Sequence, residues 1–435
     1  MKRTLLYILA VITTLSACRK DDDPIFDKSP DQRINETLAA YQAALAGSQY
    51  GWNGELITAD SVVYHFHFSF NDANRVQMFA DIDSTTAGVR KESSFRLKAL
   101  QQPALLFDTY SYIHILADPD GSVNGGAYGE GLNSDFEFSL DTLTAESIRL
   151  TGRFKGSKMT LTKATQQDEQ NWVNGQWKKA MQFEYFSQYI LHYFKRLVIG
   201  TRNYEMTVDH TARTIRFTWI GTNGNVQQHT TNYYYTSDGL TLETPLTDGS
   251  TTINFIANIA WDAASTAFRA QVNGTSTASM RGANAPVNVD LDAPQRWWLT
   301  QASIGSYWIS FNGFHVDGVD DAFGVRDLPN FYFLLFWPAY GADFDLGGYV
   351  FLENGGLSLN FGAAFRTPPV FTSNGRIIFD YLQGLGNIPP DAEDAYLNTA
   401  IKFNDPGGFY LVQTSPASYD MVSASDAKTW ISWTE

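Results

Sequence analysis

Cysteine is almost absent from this chain, and charged residues are scarce. Cys18 is the only cysteine among 435 residues, so no disulfide can form within the chain and the cysteine spacing of a zinc site is missing. Charged residues make up 18% of the sequence, with 31 Lys and Arg against 46 Asp and Glu and a formal net charge of −15. Proteins that bind nucleic acid need clustered Lys and Arg to contact the phosphates. The acidic balance therefore argues against nucleic acid as a partner.

Catalytic and transmembrane signatures are missing as well. After the N-terminal region no stretch reaches 18 consecutive apolar residues, the length that indicates a transmembrane helix. The chain has no Gly-x-Ser-x-Gly elbow, no His-Glu-x-x-His helix and no Walker loop. The glycine-rich segment 125–131 lacks the Lys and Ser/Thr of a phosphate-binding loop, and we interpret it as a loop between strands. We therefore predict a protein without catalytic residues, without a metal and without a cofactor.

The N-terminus has the features of a secretory signal. Lys2 and Arg3 precede an apolar stretch over residues 4–17, which is shorter than the roughly 20 residues that cross a membrane as a helix. This stretch leads into Leu-Ser-Ala-Cys, which resembles the lipobox of bacterial lipoproteins, in which the cysteine is acylated and becomes the first residue. An ordinary signal peptide followed by a chance cysteine is the alternative. Because Cys18 is the only cysteine and stands where that motif requires it, we predict its lipidation.

The residues after Cys18 bear on localisation. Residues 19–23, Arg-Lys-Asp-Asp-Asp, resemble the charged export signal that follows the acylated cysteine in surface lipoproteins of Bacteroidetes. A short charged run is otherwise only a solvated tether. We expect a protein that is anchored in the outer membrane by the lipid on Cys18 and exposed at the cell surface, with the periplasmic face as the alternative.

Alternation of apolar and polar residues dominates the rest of the chain. A helix is predicted to begin at Ser29, with Gln32 completing a capping box, and to end at Gly47. From Ser61 to Phe70 the even positions are apolar, which is typical of a strand with one buried face. Similar alternating runs follow, so the first part of the chain is expected to form an antiparallel meander.

A helical segment interrupts the alternation between residues 167 and 200. A second set of strands follows, and the segments Arg75–Tyr110 and Thr214–Thr247 are weakly alike, which indicates a duplicated β unit. In the last third we predict a buried strand over Asn330–Trp337 and a helix over Asp391–Phe403. The apolar residues of the helical segment recur at three and four positions, as on one face of a helix: Phe183, Phe186, Ile190, Phe194 and Leu197.

These patterns together predict a mainly β protein of the α+β class. We expect antiparallel meanders, barrel-like or sandwich-like, that form a duplicated β unit with a helix before each copy. The predicted divisions are a signal peptide over 1–17, the acylated cysteine and an acidic tether over 18–28, a helix with the first β unit over 29–165, a helical segment with the second β unit over 166–289, and a β portion rich in Gly and aromatic residues over 290–435 that packs on the other two.

Several short motifs resemble those of a known family. They are Phe26 and Arg33 near the tether, Gly51-Trp52, Leu106-Phe107-Asp108-Thr109-Tyr110, Ser134-Asp135-Phe136-Glu137-Phe138 and Gly152-Arg153. Together they resemble a lipoprotein family of Bacteroidetes that is described as domain of unknown function 4302. The likeness is clearest over residues 18–165 and looser through the rest. No catalytic motif is attached to that family, and the resemblance implies a surface lipoprotein, often encoded near the paired porin and lipoprotein systems that import glycans or peptides.

Polar candidates for a site are few. His65 and His67 share the outward face of one predicted strand, where both could reach a metal, but no third ligand is evident and we expect solvated side chains. The loops 118–121 and 317–321 are rich in Asp but lack the spacing of a calcium loop. Turn formation is therefore their expected role.

Aromatic residues are the feature that best suits a binding role, since Phe, Trp and Tyr make up 14% of the chain. The runs Tyr233-Tyr234-Tyr235 and Trp297-Trp298 place rings on both faces of any strand, so one ring of each run should point away from the core. Exposed rings stack against sugars and anchor protein partners. These five residues are the predicted ligand-binding residues, and the alternative is that a neighbouring domain covers their second face.

The sequence favours a non-enzymatic surface lipoprotein that captures a glycan or a peptide for an outer-membrane importer. The expected partners are the importer components and the membrane itself, through the lipid on Cys18. Two alternatives stay open. One is a hydrolase whose glycosidase-like pair of carboxylates is not visible in the sequence, and the other is a structural or adhesive accessory subunit without a small ligand.

Overall fold

The computed structural model describes residues 28–100, 102–249 and 251–435. They form two closed antiparallel barrels of eight strands each, followed by an open sheet of eleven strands. The prediction of a mainly β protein with a duplicated β unit is therefore confirmed. The predicted signal peptide, the lipidation site Cys18 and the charged run at 19–23 lie outside the described residues.

The first helix, α1, spans Pro30–Ala46 and begins as its sequence predicts. The Ser29 side chain accepts a hydrogen bond from the Gln32 backbone N–H, and the Gln32 side chain accepts one from the Ser29 backbone N–H, which completes the capping box. The helix ends at Gly47. Its buried side chain Leu45 belongs to the core of the first barrel, and the Leu45 carbonyl accepts a hydrogen bond of 3.0 Å from Trp52 Nε1.

The first barrel closes because its first strand pairs with its second and also with its eighth, where Trp52 lies opposite Lys163. The predicted alternation is confirmed on the second strand, where Tyr64, Phe66 and Phe68 are buried in the barrel core. Three short helices interrupt the strand order: α2 (Ser84–Gly88), α3 (Tyr112–Ala117) and α4 (Gly121–Asn124). The strands are β1 (Trp52–Ile57), β2 (Val63–Phe70), β3 (Arg75–Ala80), β4 (Lys91–Ala99), β5 (Pro103–Phe107), β6 (Glu137–Leu143), β7 (Ser147–Gly152) and β8 (Lys158–Lys163).

The segment between the barrels is helical, but in short pieces. Gly175 adopts a left-handed conformation with φ of 70°, and it separates the first two helices. The predicted apolar stripe is wrong at its end, because Phe194 and Leu197 belong to a strand in which Leu197 pairs with Tyr204 and Met280. This strand closes the second barrel by pairing with one neighbouring strand on each side, and that pairing outweighs the helical spacing of its apolar residues. The pieces are α5 (Gln166–Val173), α6 (Gln176–Ala180), a 3₁₀ turn (Met181–Tyr185) and α7 (Phe186–Tyr189).

The second barrel repeats the meander of the first and closes between its first and eighth strands. The alike segments Arg75–Tyr110 and Thr214–Thr247 fall on the third to fifth strands of their respective barrels, so the weak similarity corresponds to equivalent places. The strands are β9 (Phe194–Ile199), β10 (Arg202–Asp209), β11 (Thr214–Ile220), β12 (Val226–Thr236), β13 (Gly239–Asp248), β14 (Thr251–Asp262), β15 (Ala267–Val272) and β16 (Ser276–Ala283).

The third portion contains two helices and an open sheet. Helix α8 spans Ala293–Ala302, and helix α9, at Glu393–Phe403, confirms the predicted helix. The buried strand predicted at 330–337 is also confirmed. The strands are β17 (Trp308–Ser310), β18 (His315–Val316), β19 (Phe331–Trp337), β20 (Phe344–Glu353), β21 (Gly356–Arg366), β22 (Val370–Phe371), β23 (Arg376–Ile378), β24 (Tyr381–Gly386), β25 (Phe409–Ser415), β26 (Ser418–Ser423) and β27 (Thr429–Thr434).

Both helices pack on one face of this open sheet, which keeps β22 and β24 as its two edges. Trp297 of α8 and Phe403 of α9 share a buried cluster with Phe336 and Trp433 of the strands. Among the described residues, no helix has both the length and the apolarity to cross a membrane.

Candidate functional site

A large cavity lies between the second barrel and the open sheet, and we call it the barrel–sheet cleft. Its volume is about 700 Å³. The second barrel supplies one wall, the linker between β16 and α8 supplies another, and β25 to β27 supply the third. The residues used below are Lys195, Glu205, Thr207, Arg216, Tyr410, Asp420 and Trp430.

Tyr193 fixes one end of the cleft. Its hydroxyl donates a hydrogen bond of 2.6 Å to Asp420 Oδ2, and its backbone N–H donates one to the Ala427 carbonyl at 2.6 Å. Burial, and then the neighbouring charge of Asp420, hold the pKa of Tyr193 well above its usual range. The hydroxyl therefore stays protonated, and both oxygens of Asp420 accept a hydrogen bond within the protein, because Ser432 also donates to its Oδ1 at 2.6 Å. We assign this end a structural role.

Glu205 and two arginines form the polar wall on the outer face of the barrel. Glu205 Oε2 accepts a hydrogen bond of 2.8 Å from the Val287 backbone N–H, which holds the linker against β10. Burial raises the pKa of Glu205, although that hydrogen bond and the charges of Arg196 and Arg216 oppose the rise. Of the two arginines, Arg196 donates a hydrogen bond of 2.5 Å to the Ala285 carbonyl. Arg216 lines the cleft and offers its donors to it.

Lys195 is the charged residue of the cleft that lacks a carboxylate partner. Burial lowers the pKa of its ammonium group to about 8, and in the described part of the chain no acidic side chain offsets that effect. Burial at such a place favours the neutral form of a lysine. A hydrogen-bond acceptor on a bound ligand favours the charged form instead. Perturbed charges in a cavity mark a candidate binding site.

The predicted tyrosine run does not line this cleft. Tyr233 and Tyr235 point into the second barrel, where they are 2% and 3% exposed and their rings meet edge to face at 5.7 Å. Tyr234 points the other way and lies 5.7 Å from the ring of His65 in the first barrel. Its second face is thus covered by the neighbouring unit, which was the alternative interpretation.

The predicted tryptophan pair lies on helix α8 and not on a strand. Trp297 is fully buried and stacks on Trp308 at 5.9 Å. The half-buried Trp298 donates a hydrogen bond from Nε1 to Asp345 Oδ2 at 3.0 Å. Neither residue lines the barrel–sheet cleft, so a role of the five aromatic residues in ligand binding stays a prediction.

The expectation of solvated histidines on β2 is wrong. His67 is only 1% exposed and its Nε2 lies 2.9 Å from the Tyr50 carbonyl, while His65 Nδ1 lies 3.3 Å from Asp81 Oδ2. The ring of Trp177, from the segment between the barrels, covers His65 at 5.5 Å. In the part of the chain that the structure describes, no group of three or more His, Cys, Asp or Glu side chains is arranged to hold a metal ion.

The two Asp-rich loops have the expected turn-forming contacts. Asp118 Oδ1 accepts from the Asp120 backbone N–H at 3.0 Å, and Asp120 Oδ1 accepts from the Ser122 backbone N–H at 2.9 Å. In the other loop Asp321 Oδ1 accepts from the Val325 backbone N–H at 3.0 Å. Both loops therefore use their acidic residues or backbone to fix local geometry.

Sequence reasoning missed the charged residues of the cleft. Lys195 interrupts an apolar run of β9, and this was the one local signal that could have been used. Glu205 and Arg216 follow the ordinary polar alternation of a barrel wall. Nothing in the sequence places these residues opposite Asp420, more than two hundred positions away.

Comparison with known proteins gives a family but no activity. A model of the family described as "Domain of unknown function (DUF4302)" matches residues 22–262. No curated protein matches the chain.

Solved structures resemble the chain only weakly. A DNA polymerase III subunit beta sliding clamp from Bartonella birtlesii is 10% identical, with 56% of this chain and 65% of that chain covered and a TM-score of 0.12. A Helicobacter pylori beta clamp bound to a DNA ligase peptide is 8% identical, with 92% and 98% covered and a TM-score of 0.16. A transferrin binding protein B from Haemophilus parasuis is 10% identical, with 85% and 64% covered and a TM-score of 0.14. The chain thus spans less than two thirds of the first and third of these proteins, and such scores carry no argument about function.

Proposed function

The chain belongs to the DUF4302 family, and from this premise we propose that it is a non-enzymatic protein that captures an oligosaccharide or a peptide. Its proposed place is the outer membrane, where a lipid on Cys18 anchors it at the cell surface. The proposed partners are components of an importer that receives the captured ligand.

The observation that carries this proposal is the barrel–sheet cleft with its unpaired Lys195. The volume of about 700 Å³ lies within the range of about 300–1,000 Å³ that is usual for ligand sites. A partly buried cation without a carboxylate partner lowers stability, so its presence in a cavity favours a role in binding over a role in folding.

The chemistry of the cleft suits a ligand that both donates and accepts hydrogen bonds. Arg216 and Lys195 donate, and Glu205 accepts. The half-buried rings of Tyr410 and Trp430 add apolar surface to the cleft for a sugar ring or an aromatic side chain, although His315 already stacks on one face of Trp430 at 3.6 Å. Hydroxyl groups of sugars and amide groups of peptides both meet these requirements.

The test uses the mature chain without its lipid, residues 19–435, incubated with a mixed panel of polysaccharides and protein digests. Retention and breakdown products are recorded together. Retention without products is the expected result, and the retained class identifies the ligand as a glycan or a peptide. Release of products would replace the proposal with the hydrolase alternative.

A matched pair of variants locates the binding. Thr207 is an exposed residue of β10 that lines the cleft, so Thr207→Trp fills the cleft and should weaken retention by about tenfold or more, which corresponds to 1.4 kcal/mol. Asn254→Trp adds the same ring to an exposed strand position of the barrel outside the cleft and should leave retention unchanged. If Thr207→Trp and Asn254→Trp retain the ligand equally, the cleft is not the binding site.

Anchorage is tested on cells. Cys18→Ala should release the protein from the membrane fraction, and proteinase treatment of intact cells should cleave the wild-type protein if it faces outward. Co-purification with a membrane partner in the absence of any retained ligand would favour the accessory alternative.

A further inference from the structure

The two faces of the open sheet have different surroundings. Helices α8 and α9 pack on one face, in the cluster that contains Phe336. The strand registers place a second set of apolar side chains on the opposite face of β17, β19, β20, β21 and β24, where Phe333, Val350 and Leu359 form one row across three neighbouring strands. We call the surface that these strands form on the side of this row the outer sheet face.

The outer sheet face has a small buried cluster of its own. The apolar side chains that pack against this cluster come from the same strands or from Tyr307, directly before β17. In the part of the chain that the structure describes, neither a helix nor a barrel contributes a residue to it. The aromatic rings of the sheet itself therefore form its cover, and the ring of Tyr307 lies 5.0 Å from that of Trp337. The cluster consists of Phe333, Leu335, Leu346 and Val350.

Large apolar side chains lie exposed around this cluster. Leu352, Leu357 and Leu359 of the β20–β21 hairpin are 48%, 56% and 41% exposed. Phe311, directly after β17, is 53% exposed, and its ring lies 6.3 Å from that of Phe333. Single exposed apolar residues are normal on a protein surface, but these lie around one cluster on one face. A contiguous apolar patch of this kind marks an interaction surface.

The outer sheet face is nearly free of charge. Among its strand positions Arg366 is the one ionised side chain, and its Nε lies 2.8 Å from Asp380 Oδ2, which neutralises it. The chain as a whole has a formal net charge of −15, so two copies repel each other wherever their acidic surfaces meet. On the outer sheet face two copies can meet without this repulsion.

The size of the face fits an interface between proteins. Five strands spaced about 4.8 Å apart and about eight residues of β20 at about 3.3 Å each give a face of about 24 by 26 Å, or about 600 Å². The largest apolar patch of a monomeric protein covers about 300–600 Å², so this face is at the upper limit. Two such faces together would bury about 1,200 Å², the size at which stable interfaces begin.

We propose that two copies of this chain pack through their outer sheet faces and form a dimer with twofold symmetry. In such a dimer the same patch lies on both sides of the interface, and a flat apolar face with little charge is complementary to its own copy. Sheets that pack face to face lie about 10 Å apart with interdigitated side chains. The dimer does not rest on the proposed capture of a ligand, because the barrel–sheet cleft uses other residues.

The experiment is sedimentation velocity of the mature chain without its lipid, residues 19–435, from about 1 to about 100 µM. We expect a reversible equilibrium between monomer and dimer in this range. Leu359→Glu puts a carboxylate at an exposed position of the face in each copy. Because the dimer would bury both carboxylates without a partner, the dissociation constant should rise at least about tenfold. Ligand retention in the cleft should be unchanged in this variant.

A matched control separates this effect from the added charge itself. Leu397 on α9 is 43% exposed, close to the 41% of Leu359, but its helix packs on the other face of the sheet. Leu397→Glu should leave the dissociation constant unchanged. Equal weakening by Leu359→Glu and Leu397→Glu would contradict the proposal.

A second variant keeps the test decisive if Leu359→Glu does not fold. Phe311→Glu changes the exposed ring at the other side of the cluster and should also weaken the dimer. The proposal is overturned if the wild-type chain stays monomeric at about 100 µM, or if a dimer forms that neither variant weakens. Binding of a monomeric chain to phosphatidylcholine vesicles or to cellulose, lost in Leu359→Glu, would also overturn it and would assign the face to lipid or to a glycan.

Discussion

The second barrel meets the first barrel and the open sheet in two different ways. At the first junction Arg213, only 2% exposed, reaches Asp81, which is fully buried, and the guanidinium also lies 4.0 Å from the Tyr64 ring centroid. At the second junction Lys195 faces a cleft of about 700 Å³ without a carboxylate partner. At the first junction the charge of Arg213 is paired with Asp81 within the protein. At the second junction the charge of Lys195 has no such partner in the described chain.

The apolar contacts differ in the same way. Phe79 of the first barrel stacks on Trp172 at 5.8 Å, and Trp172 stacks on Trp177 at 4.2 Å, so one buried cluster continues from the first barrel into the second. Between the second barrel and the open sheet a smaller cluster around Phe194 and Val422 is buried beside the cleft. The first junction therefore buries more apolar side chains than the second, which leaves the cleft open beside a small cluster.

Breaking the first junction should have the largest effect. Arg213→Met leaves Asp81 as a buried charge without its cation, which should lower the free energy of unfolding by about 3–5 kcal/mol. The double variant with Asp81→Asn should be less destabilised than Arg213→Met alone, since no charge is then buried. Denaturant unfolding of the four proteins in this cycle measures the coupling, and additive effects would show that the pair does not join the barrels.

The same pair fixes the direction of the acid dependence. Burial alone would raise the pKa of Asp81, but Arg213 and His65 outweigh it and hold the pKa below its usual value. The carboxylate therefore contributes stability above its unfolded-state pKa of about 3.9. That contribution is lost as the pH falls through the lower folded-state value.

His210 should give the next largest effect, also on the side of the first barrel. Burial lowers its pKa to about 4, against about 6.5 in an unfolded chain. The unfolded state therefore binds more protons between these values, and stability should fall by about 3 kcal/mol as the pH drops across that window. His210→Phe, which replaces the imidazole beside Phe183 and Tyr233, should reduce this slope. Thermal unfolding measured across the window checks it, and an unchanged slope would contradict the assignment.

Lys195 should give the smallest effect on stability and the opposite sign. Removing its desolvated charge with Lys195→Met should raise the free energy of unfolding by about 1 kcal/mol at neutral pH while weakening ligand retention. The wild-type chain should also gain stability between pH about 8, the folded-state pKa, and about 10.4, the unfolded-state value, and the variant should lack this gain. If Lys195→Met is instead less stable than the wild type, Lys195 has a structural role, as Arg213 and Asp81 have at the first junction.

Local signals in the sequence predicted the elements that depend on neighbouring residues. The capping box of Ser29 and Gln32, the alternation from Ser61 to Phe70 and the buried strand near 331–337 all appear where the pattern places them. The duplication was visible because both segments run from a strand through a polar link to a strand with Tyr or Phe and then to a leucine-rich strand. Each of these features is fixed by contacts within a turn or a hairpin.

The predictions failed where a distant part of the chain decided the outcome. Phe194 and Leu197 fit a helical stripe, but their backbone completes the second barrel by pairing with β16. His65 and His67 lie on the face of β2 that the sequence marks as polar, yet Trp177 and Tyr234 cover His65. Alternation reports which face of a strand is polar and not what later packs on that face.

The sequence by itself determined the class of the fold, the start of its first helix and the repetition of its β unit, because periodicity and capping are local properties. Only the tertiary structure decided which charges are paired and which face a cavity. Arg213 meets Asp81 across 132 positions, and Lys195 meets no carboxylate in the described chain. Such pairings depend on how two closed barrels and an open sheet fit together, and no local pattern contains that information.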